Sequence, residues 1–284
     1  MELVRISSWL ELQEELFAGA WQEELGRFRS DFVFRGEADG HADLTTSLVR
    51  LGGSYGEVEA HLLRNFRKYA RREAVPQDSL WNWLALAKHH GLPTRLLDWS
   101  FSPYVALHFA TANPLRYDVD GAVWCIDFVA TNKRLPADLH RLLENEGANT
   151  FTGEMLNAAA PSLEAFDALA DDEEFVVFFE PPSLDDRIVN QAALFSLMPS
   201  PHARLAAWLE RHPDLVRVLV LPAELKWEIR DKLDQANVTE RVLFPGLDGL
   251  SRWLARYYAP RPEEGFTDRD ARASLRPGAT VAEP

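Results

Sequence analysis

The stretch LALAKHHGLPTRLLDWSFSPYVALHFA, which runs from residue 84 to residue 110, sets charged and hydroxyl side chains in an otherwise apolar frame. Polar side chains in such a frame are either hydrogen-bonded to their surroundings or exposed to a cleft that holds a ligand. Apolar residues recur at helical spacing as far as His90, and Gly91 then ends the pattern. A short extended segment follows, and Ser102 with Pro103 predicts the start of a second helix. The stretch therefore predicts a helix, a turn, a strand and a helix, with polar groups at the joins.

The composition limits the class of protein. The chain has 284 residues, a formal net charge of −14 and one cysteine, Cys125, whose apolar surroundings predict a buried thiol in a strand. No run approaches 18 consecutive apolar residues, and the N-terminus lacks the features of a signal peptide, so we expect a cytoplasmic protein with no membrane partner. The acidic total disfavours nucleic-acid binding. The exception is a basic helix predicted over residues 58–73, whose basic residues lie between 64 and 72; a solvated helix face is the alternative interpretation.

The remaining pattern mixes short strands with helices and does not alternate them strictly, which favours a single α+β domain with helices around short strands. An amphipathic helix is predicted over residues 7–27. Strands are predicted at 32–34, 122–128, 175–179 and 217–221, and helices at 132–146, 155–170, 223–236 and 247–258. Beyond residue 259, proline, glycine and charged residues replace the large apolar ones, so we predict a disordered tail over 259–284.

Several motifs resemble those of one known family. The tripeptide Phe34-Arg35-Gly36 precedes the run HHGLPTRLLDWSFSPYVALHFA, and residues 46–50 read TSLVR. A later segment, residues 187–195, has the pattern RIxxQxxxF. Together these motifs resemble the FRG domain, which is named after the tripeptide.

The resemblance also predicts how the chain is organised. Its motifs span roughly residues 32–196, and the two ends of the chain are not covered by it. We therefore predict an N-terminal helical extension (1–30), an FRG domain with a C-terminal elaboration (31–258) and the tail. Glu37 stands where the family usually has Gln, and Ala193 stands where it usually has Gly.

Arg35 is the first candidate for ligand binding. It follows the strand predicted at 32–34, and Gly36 after it leaves backbone room for a ligand. The planar fork of an arginine suits a phosphate group, so this position favours an anionic ligand. The alternative is a structural arginine paired with Glu37 or Asp98.

The polar residues of the central stretch also have two interpretations each. His90 lies at a helix C-terminus, where an imidazole either caps the helix or serves a site. Arg95 and Asp98 lie in an apolar segment, so a mutual or neighbouring ion pair is the structural interpretation, and Asp98 as a catalytic carboxylate is the functional one. His89 and His90 point about 100° apart on a helix, so we expect no metal site there.

Two further pairs complete the candidates. Ser100 and Ser102 flank the turn into the second helix, and Ser102 is expected to cap that helix because no nucleophile elbow surrounds either serine. Arg187 and Gln191 are one helical turn apart and face the same way, toward either a site or solvent.

The order of these residues resembles a second family, the ADP-ribosyltransferase fold. The resemblance implies that Arg35 holds the pyrophosphate or ribose of NAD, that Ser100 lines the nicotinamide pocket, and that Gln191 stands at the position of the ribose-gripping acid. In that chemistry a carboxylate stabilises an oxocarbenium-like state. Because Gln191 is an amide, another acid must supply this charge, and the candidates are Asp98, Glu37 and Glu180.

The function predicted from the sequence is a nucleotide-handling enzyme that resembles NAD-dependent ADP-ribosyltransferases or NAD glycohydrolases. It takes NAD as substrate and acts as a toxin or in phage defence, on an acceptor that the sequence does not identify. The catalytic candidates are His90, Asp98 and Gln191, and the cofactor-binding candidates are Arg35, Arg95 and Ser100. The alternative is a non-catalytic FRG module that senses a ligand or binds a protein. Convergence of Arg35, His90 and Asp98 on one cleft favours the enzyme.

Overall fold

A computed structural model describes residues 1–70, 78–171, 173–183 and 185–261. The strands are β1 Glu2–Arg5, β2 Trp21–Gln22, β3 Arg27–Phe28, β4 Phe32–Glu37, β5 Leu97–Ser100, β6 Gly121–Asp127, β7 Val177–Phe179, β8 Ala193–Leu197 and β9 Val216–Leu221. The helices are α1 Trp9–Phe17, α2 Ser47–Leu51, α3 Tyr55–Tyr69, α4 Leu80–His89, α5 Pro103–Ala110, α6 Phe128–Thr131, α7 Ala137–Glu146, α8 Gly153–Ala159, α9 Leu163–Asp167, α10 Asp186–Asn190, α11 Leu205–Arg211, α12 Lys226–Gln235, α13 Glu240–Leu243 and α14 Leu247–Tyr258.

The described strands form one seven-stranded sheet and a separate two-stranded ladder of β2 with β3. The order in the large sheet is β1-β9-β6-β4-β5-β8-β7. Strand β1 runs parallel to β9, and the other neighbours are antiparallel. The α+β class expected from the mixed strand and helix pattern is therefore confirmed.

The sheet packs against helices on both faces. Val33, Trp99 and Trp124 belong to the core on one face, with Trp208 of α11. The opposite face carries two separate cores. One surrounds Phe34 and Cys125 with α1, α5 and α12, and the other surrounds Phe195 with α4, α7, α8 and α9. The space between these two cores lies over β4, β5 and β8.

Gly36 fixes the position of helix α5 on the sheet. A Cβ at this residue would lie 1.8 Å from the carbonyl oxygen of Ala106 and 2.7 Å from the backbone nitrogen of Ala110. No larger residue fits there without moving the backbone of the helix. The expectation that Gly36 leaves room for a ligand is therefore wrong, because helix α5 occupies that room.

The central stretch folds as predicted. Helix α4 begins after Ser79, whose hydroxyl accepts from the backbone nitrogen of Asn82 at 3.2 Å, and it ends at His90, where Gly91 has a φ of 83°. The extended segment becomes strand β5. Helix α5 follows Ser102, whose hydroxyl accepts from the backbone nitrogen of Val105 at 3.4 Å, so the capping prediction for Ser102 is confirmed.

The helix predicted over residues 7–27 is wrong in its extent. Helix α1 ends at Phe17, and Gly19 follows with a φ of 76°, a left-handed conformation that ends the helix. The residues after it form the β2–β3 ladder, in which Trp21 pairs with Phe28. Strand β1 precedes α1 in the chain. It was not predicted, because its partner β9 is more than 200 residues away in the sequence.

Several other boundaries differ from the predictions. The helix expected over 155–170 is two helices, α8 and α9, and the hydroxyl of Ser162 caps the second by accepting from the backbone nitrogen of Ala165. Strand β8 was not predicted. The basic helix is α3. The end of its predicted span, which includes Arg71 and Arg72, lies outside the described residues, and so do residues 262–284 of the predicted tail.

Cys125 is fully buried in β6, and burial raises the pKa of its thiol to about 12, so the prediction of a buried thiol is confirmed. In the part of the chain that the structure describes, none of the helices combines the length and the apolar character that crossing a membrane requires.

Candidate ligand-binding cavity

A cavity of about 710 Å³ lies between the two cores, where strands β4 and β5 separate. Among the described residues these two strands share the single pair Phe34 with Ser100. Beyond that pair, Nη1 of Arg35 donates to the carbonyl oxygen of Asp98 at 2.9 Å, so a side chain bridges the gap between the two backbones. The other walls are the end of α4, helix α5, helix α10 and strand β8. This volume is typical of sites for small molecules and cofactors.

Five of the six residues predicted from the sequence line this one cavity. They are Arg35, His90, Asp98, Ser100 and Gln191. They come from β4, the end of α4, β5 and the end of α10, so the sheet register and the positions of two helices bring them together. Their roles in binding or catalysis remain predictions.

Arg95 is the exception, and its predicted role in binding the cofactor is wrong. Its side chain is 5% exposed and points away from the cavity, toward α3 and α9. Nε and Nη2 lie 2.8 and 2.6 Å from Oε2 of Glu59, and Nη1 lies 2.5 Å from Oδ1 of Asp167. A buried guanidinium needs such partners, and two acids on other elements meet that need. The interpretation as a neighbouring ion pair is confirmed, although Asp98 is not the partner.

Arg35 lies in the cavity wall with its charge already paired. Its Nε and Nη2 lie 2.8 and 2.7 Å from Oε1 of Glu37, the residue two positions along the same strand. Its side chain is 15% exposed. The structural pairing suggested by the sequence is therefore present, and an anion that approaches Arg35 meets a carboxylate beside it.

Asp98 presents its carboxylate to the cavity. The side chain is 57% exposed, and Oδ2 lies 2.7 Å from Nζ of Lys88 in the last turn of α4. Nη1 of Arg35 lies 3.9 Å from the same oxygen. Lys88 was not among the residues predicted from the sequence. A basic residue next to the two histidines at a helix end was the available signal for it.

Arg187 is the cavity residue with the least compensated charge. Its Nε is buried and has no hydrogen-bond partner among the described residues. Its one hydrogen bond to the rest of the described chain is a long one, from Nη1 to the carbonyl oxygen of His89 at 3.5 Å. Its Cζ lies 4.8 Å from the centre of the Phe244 ring. Burial lowers the pKa of Arg187. The carboxylates of Asp98 and Asp185, which do not form ion pairs with it, raise the pKa by less than burial lowers it.

The two histidines differ in their surroundings. Nε2 of His89 contacts the carboxylate of Asp185, while burial lowers the pKa of His89 below its usual value. His90 is exposed, and its backbone N–H donates to the carbonyl oxygen of Leu86 at 3.1 Å, so it ends helix α4. The two rings meet edge to face at 5.3 Å. His90 therefore has the terminal position that the sequence suggests and also lines the cavity.

Ser100 and Gln191 are both held by hydrogen bonds to backbone groups. The hydroxyl of Ser100 donates to the carbonyl oxygen of Gln191 at 2.7 Å and accepts from the backbone nitrogen of Ser102 at 2.9 Å. Nε2 of Gln191 donates to the carbonyl oxygen of Leu243 at 2.8 Å. Glu180, one of the acids considered as a substitute, lies outside the cavity and accepts from Thr150 at 2.5 Å.

The C-terminal part of the chain fastens one wall of the cavity. Besides the bond from Gln191, Nδ2 of Asn190 donates to the carbonyl oxygen of Val242 at 2.8 Å. The Phe244 ring lies against the Arg187 guanidinium and 6.2 Å from the ring of Phe109, another residue of the cavity. Helix α13 and Phe244, which directly follows it, therefore help to determine where Arg187 sits.

A family model, that of the FRG domain, matches residues 30–119. The chain therefore carries an FRG domain, as the motifs predicted. The matched range supplies the cavity wall from β4 to α5, and Arg187 and Gln191 come from the chain beyond it. No curated protein and no solved structure matches the chain.

Proposed function

We propose that this FRG domain protein is a nucleotide-handling enzyme that takes NAD as its substrate and resembles ADP-ribosyltransferases. The observation that carries the proposal is the half-buried guanidinium of Arg187, which lines the cavity, has a buried Nε without a hydrogen-bond partner and forms no ion pair with any carboxylate of the described residues. An unpaired charge in a largely buried position destabilises a protein, and a bound anion compensates it. Arginine binds phosphate oxygens through several charge-assisted hydrogen bonds. A pyrophosphate is therefore the group that suits this wall of the cavity.

The proposed reaction needs a carboxylate near the ribose, and Asp98 is the acid that supplies it. The bond between the ribose C1′ and the nicotinamide nitrogen breaks, and the electron pair leaves with nicotinamide. The oxocarbenium-like sugar is stabilised by a nearby negative charge. Water or an acceptor hydroxyl then bonds to C1′ and releases a proton. The ion pair with Lys88, 2.7 Å from Oδ2, holds the carboxylate of Asp98 at the cavity wall.

This assignment differs from the expectation for Gln191. The amide of Gln191 is bonded to the backbone of Leu243, so we assign it to positioning the wall and not to gripping the ribose. An enzyme that consumes NAD depletes a cell of it, so we propose a cytoplasmic role as a toxin or phage-defence effector.

A second candidate is a module that binds the same ligand without turning it over. The observation in its favour is that Glu37, Ser100 and Gln191 are each engaged by other groups of the protein. Of the two acids described in the cavity wall, Asp98 is the more exposed, and its charge is paired with Lys88. Binding and turnover therefore have to be measured separately.

Calorimetric titration with ADP-ribose tests the binding step. Arg187→Gln should weaken binding by roughly tenfold or more, because a hydrogen bond to a charged group contributes about 1.5–3 kcal/mol. The matched control is Arg141→Gln, since the side chain of Arg141 is 67% exposed on α7, away from the cavity. Equal binding by wild type and Arg187→Gln, or no binding by wild type, would contradict the proposal.

Release of nicotinamide from NAD, measured by chromatography, tests the catalytic step. Wild type should release nicotinamide and Asp98→Asn should not, while both bind ADP-ribose. If wild type binds ADP-ribose and releases nothing over the rate without protein, the non-catalytic module is the correct account.

A further inference from the structure

A second cavity, of about 500 Å³, lies between helices α12, α13 and α14. It shares no lining residue with the first cavity and lies outside the part of the chain that the FRG model matches. Three aromatic side chains contribute to its walls, and they are Trp227, Trp253 and Tyr257. The rings of Trp253 and Tyr257 are 5.2 Å apart and 36° from parallel. The aromatic content favours a ligand with a flat π face.

Two buried polar atoms of the residues lining this cavity have no partner among the described residues. They are the hydroxyl of Thr239 and Nε1 of Trp253. Thr239 is 2% exposed and directly precedes α13, where a threonine hydroxyl ordinarily accepts from a helix amide, yet it makes no such bond. A buried polar group without a partner destabilises the folded protein. A ligand that supplies one acceptor for the indole N–H and one partner for the hydroxyl would remove this penalty.

The charges of this cavity balance. Its acids are Asp231 and Asp234, and its bases are Arg241 and Arg256. Both oxygens of Asp234 lie 2.7 Å from the guanidinium of Arg256. Arg256 also pairs with Glu240, and Asp234 also pairs with Arg230, so the two acids and two bases of this cluster are neutral together. Arg241 lies against the ring of Trp253, with its Cζ 4.4 Å from the ring centre. Neither an anion nor a cation is therefore favoured, and an uncharged ligand fits best.

We propose that this second cavity binds the base of an uncharged nucleoside. A nucleobase combines a flat π face with hydrogen-bond donors and acceptors along its edge, which are the groups that Thr239 and Trp253 require. Stacking on aromatic side chains tolerates every base, while the two polar groups discriminate among base edges. The proposal is independent of the function proposed for the first cavity, which requires an anionic ligand.

Calorimetric titration of the full chain with adenosine, guanosine, cytidine and uridine tests the proposal. At least one nucleoside should bind, and Thr239→Val and Trp253→Phe should each weaken it about tenfold, which corresponds to about 1.4 kcal/mol. Thr239→Ser keeps the hydroxyl and should keep the binding. Thr239→Val should melt no lower than wild type in the absence of ligand, because it removes an unpartnered hydroxyl.

The first cavity provides the control. Arg187→Gln should leave nucleoside binding unchanged, because these probes carry no phosphate. Binding that is equal in wild type, Thr239→Val and Trp253→Phe would place the nucleoside elsewhere and overturn the proposal. Failure of all four nucleosides to bind the wild type would overturn it as well.

Discussion

Glu59→Gln removes the charge of one partner in a deeply buried ion pair that includes Arg95 of the central stretch. The side chains of Arg95 and Glu59 are 5% and 4% exposed. Glu59 accepts from Nε and Nη2 of Arg95, and also from its backbone nitrogen at 3.3 Å. Glutamine keeps the shape of the side chain and removes its charge. The guanidinium of Arg95 then has Asp167 as its remaining carboxylate partner among the described residues.

The expected loss of stability follows from this burial. Removal of one partner from a buried ion pair costs about 3–5 kcal/mol. Because Asp167 still binds Nη1, we expect about 3 kcal/mol for Glu59→Gln. The matched variant is Asp98→Asn, whose side chain is 57% exposed and paired with Lys88. Exposed pairs contribute about 0–1 kcal/mol, so this variant should unfold close to wild type.

Guanidinium chloride unfolding, followed by far-ultraviolet circular dichroism at pH 7, measures both variants. For a chain of this length each 1 kcal/mol shifts the melting temperature by about 2–4 °C, so Glu59→Gln should also melt about 6–12 °C below wild type. Equal losses of stability in Asp98→Asn and Glu59→Gln, or wild-type unfolding of Glu59→Gln, would refute this expectation.

Three further outcomes are expected. Gly36→Ala should destabilise the protein by about 3 kcal/mol or more, because the new Cβ collides with backbone atoms of helix α5. Gly52→Ala is the control: its Cβ meets no atom within 4 Å, but its φ of 76° is strained for alanine, so it should cost about 1 kcal/mol. Chemical unfolding compares the two variants, and equal losses of stability would argue against the collision. Phe244→Leu should weaken ADP-ribose binding by about the same factor as Arg187→Gln, whereas Phe244→Tyr, which keeps the ring, should bind like wild type. If the double variant Phe244→Leu/Arg187→Gln binds no more weakly than either single variant, the two residues act together. His108 is fully buried, and burial lowers its pKa to about 4. Between about pH 6.5 and pH 4 the imidazole is therefore protonated in the unfolded chain and neutral in the folded chain. Stability should therefore fall as the pH falls through that window, by up to about 3 kcal/mol, and urea unfolding of His108→Asn should show a smaller slope; an unchanged slope would contradict this.

The central unit of the fold could be predicted because its signals are local. The helix that ends at His90, the cap at Ser102 and the apolar segment between them each depend on residues a few positions apart. The same locality explains the errors. Strand β1 and strand β8 acquire their structure from partners elsewhere in the sheet, and no pattern within four or five residues specifies those partners.

The candidate site was predictable in membership and less so in detail. Polar residues at the ends of apolar segments converge on one cavity, and Arg35 and Asp98 could therefore be predicted to lie together. Arg95 was predicted to lie with them because it is three residues from Asp98 in the same apolar segment. The side chain of Arg95 points away, toward Glu59 on a helix that is 36 residues earlier in the chain. Lys88 and Phe244 were missed, because their roles depend on contacts between elements.

The most direct test of the central claim is a crystal structure of the protein with ADP-ribose. The account predicts the ligand in the cavity between β4, β5 and α10, with a pyrophosphate oxygen about 3 Å from Nε of Arg187. It also predicts the ribose that carried nicotinamide beside the carboxylate of Asp98. A complex in which ADP-ribose lies elsewhere, or in this cavity with Arg187 still unpartnered, would contradict the account.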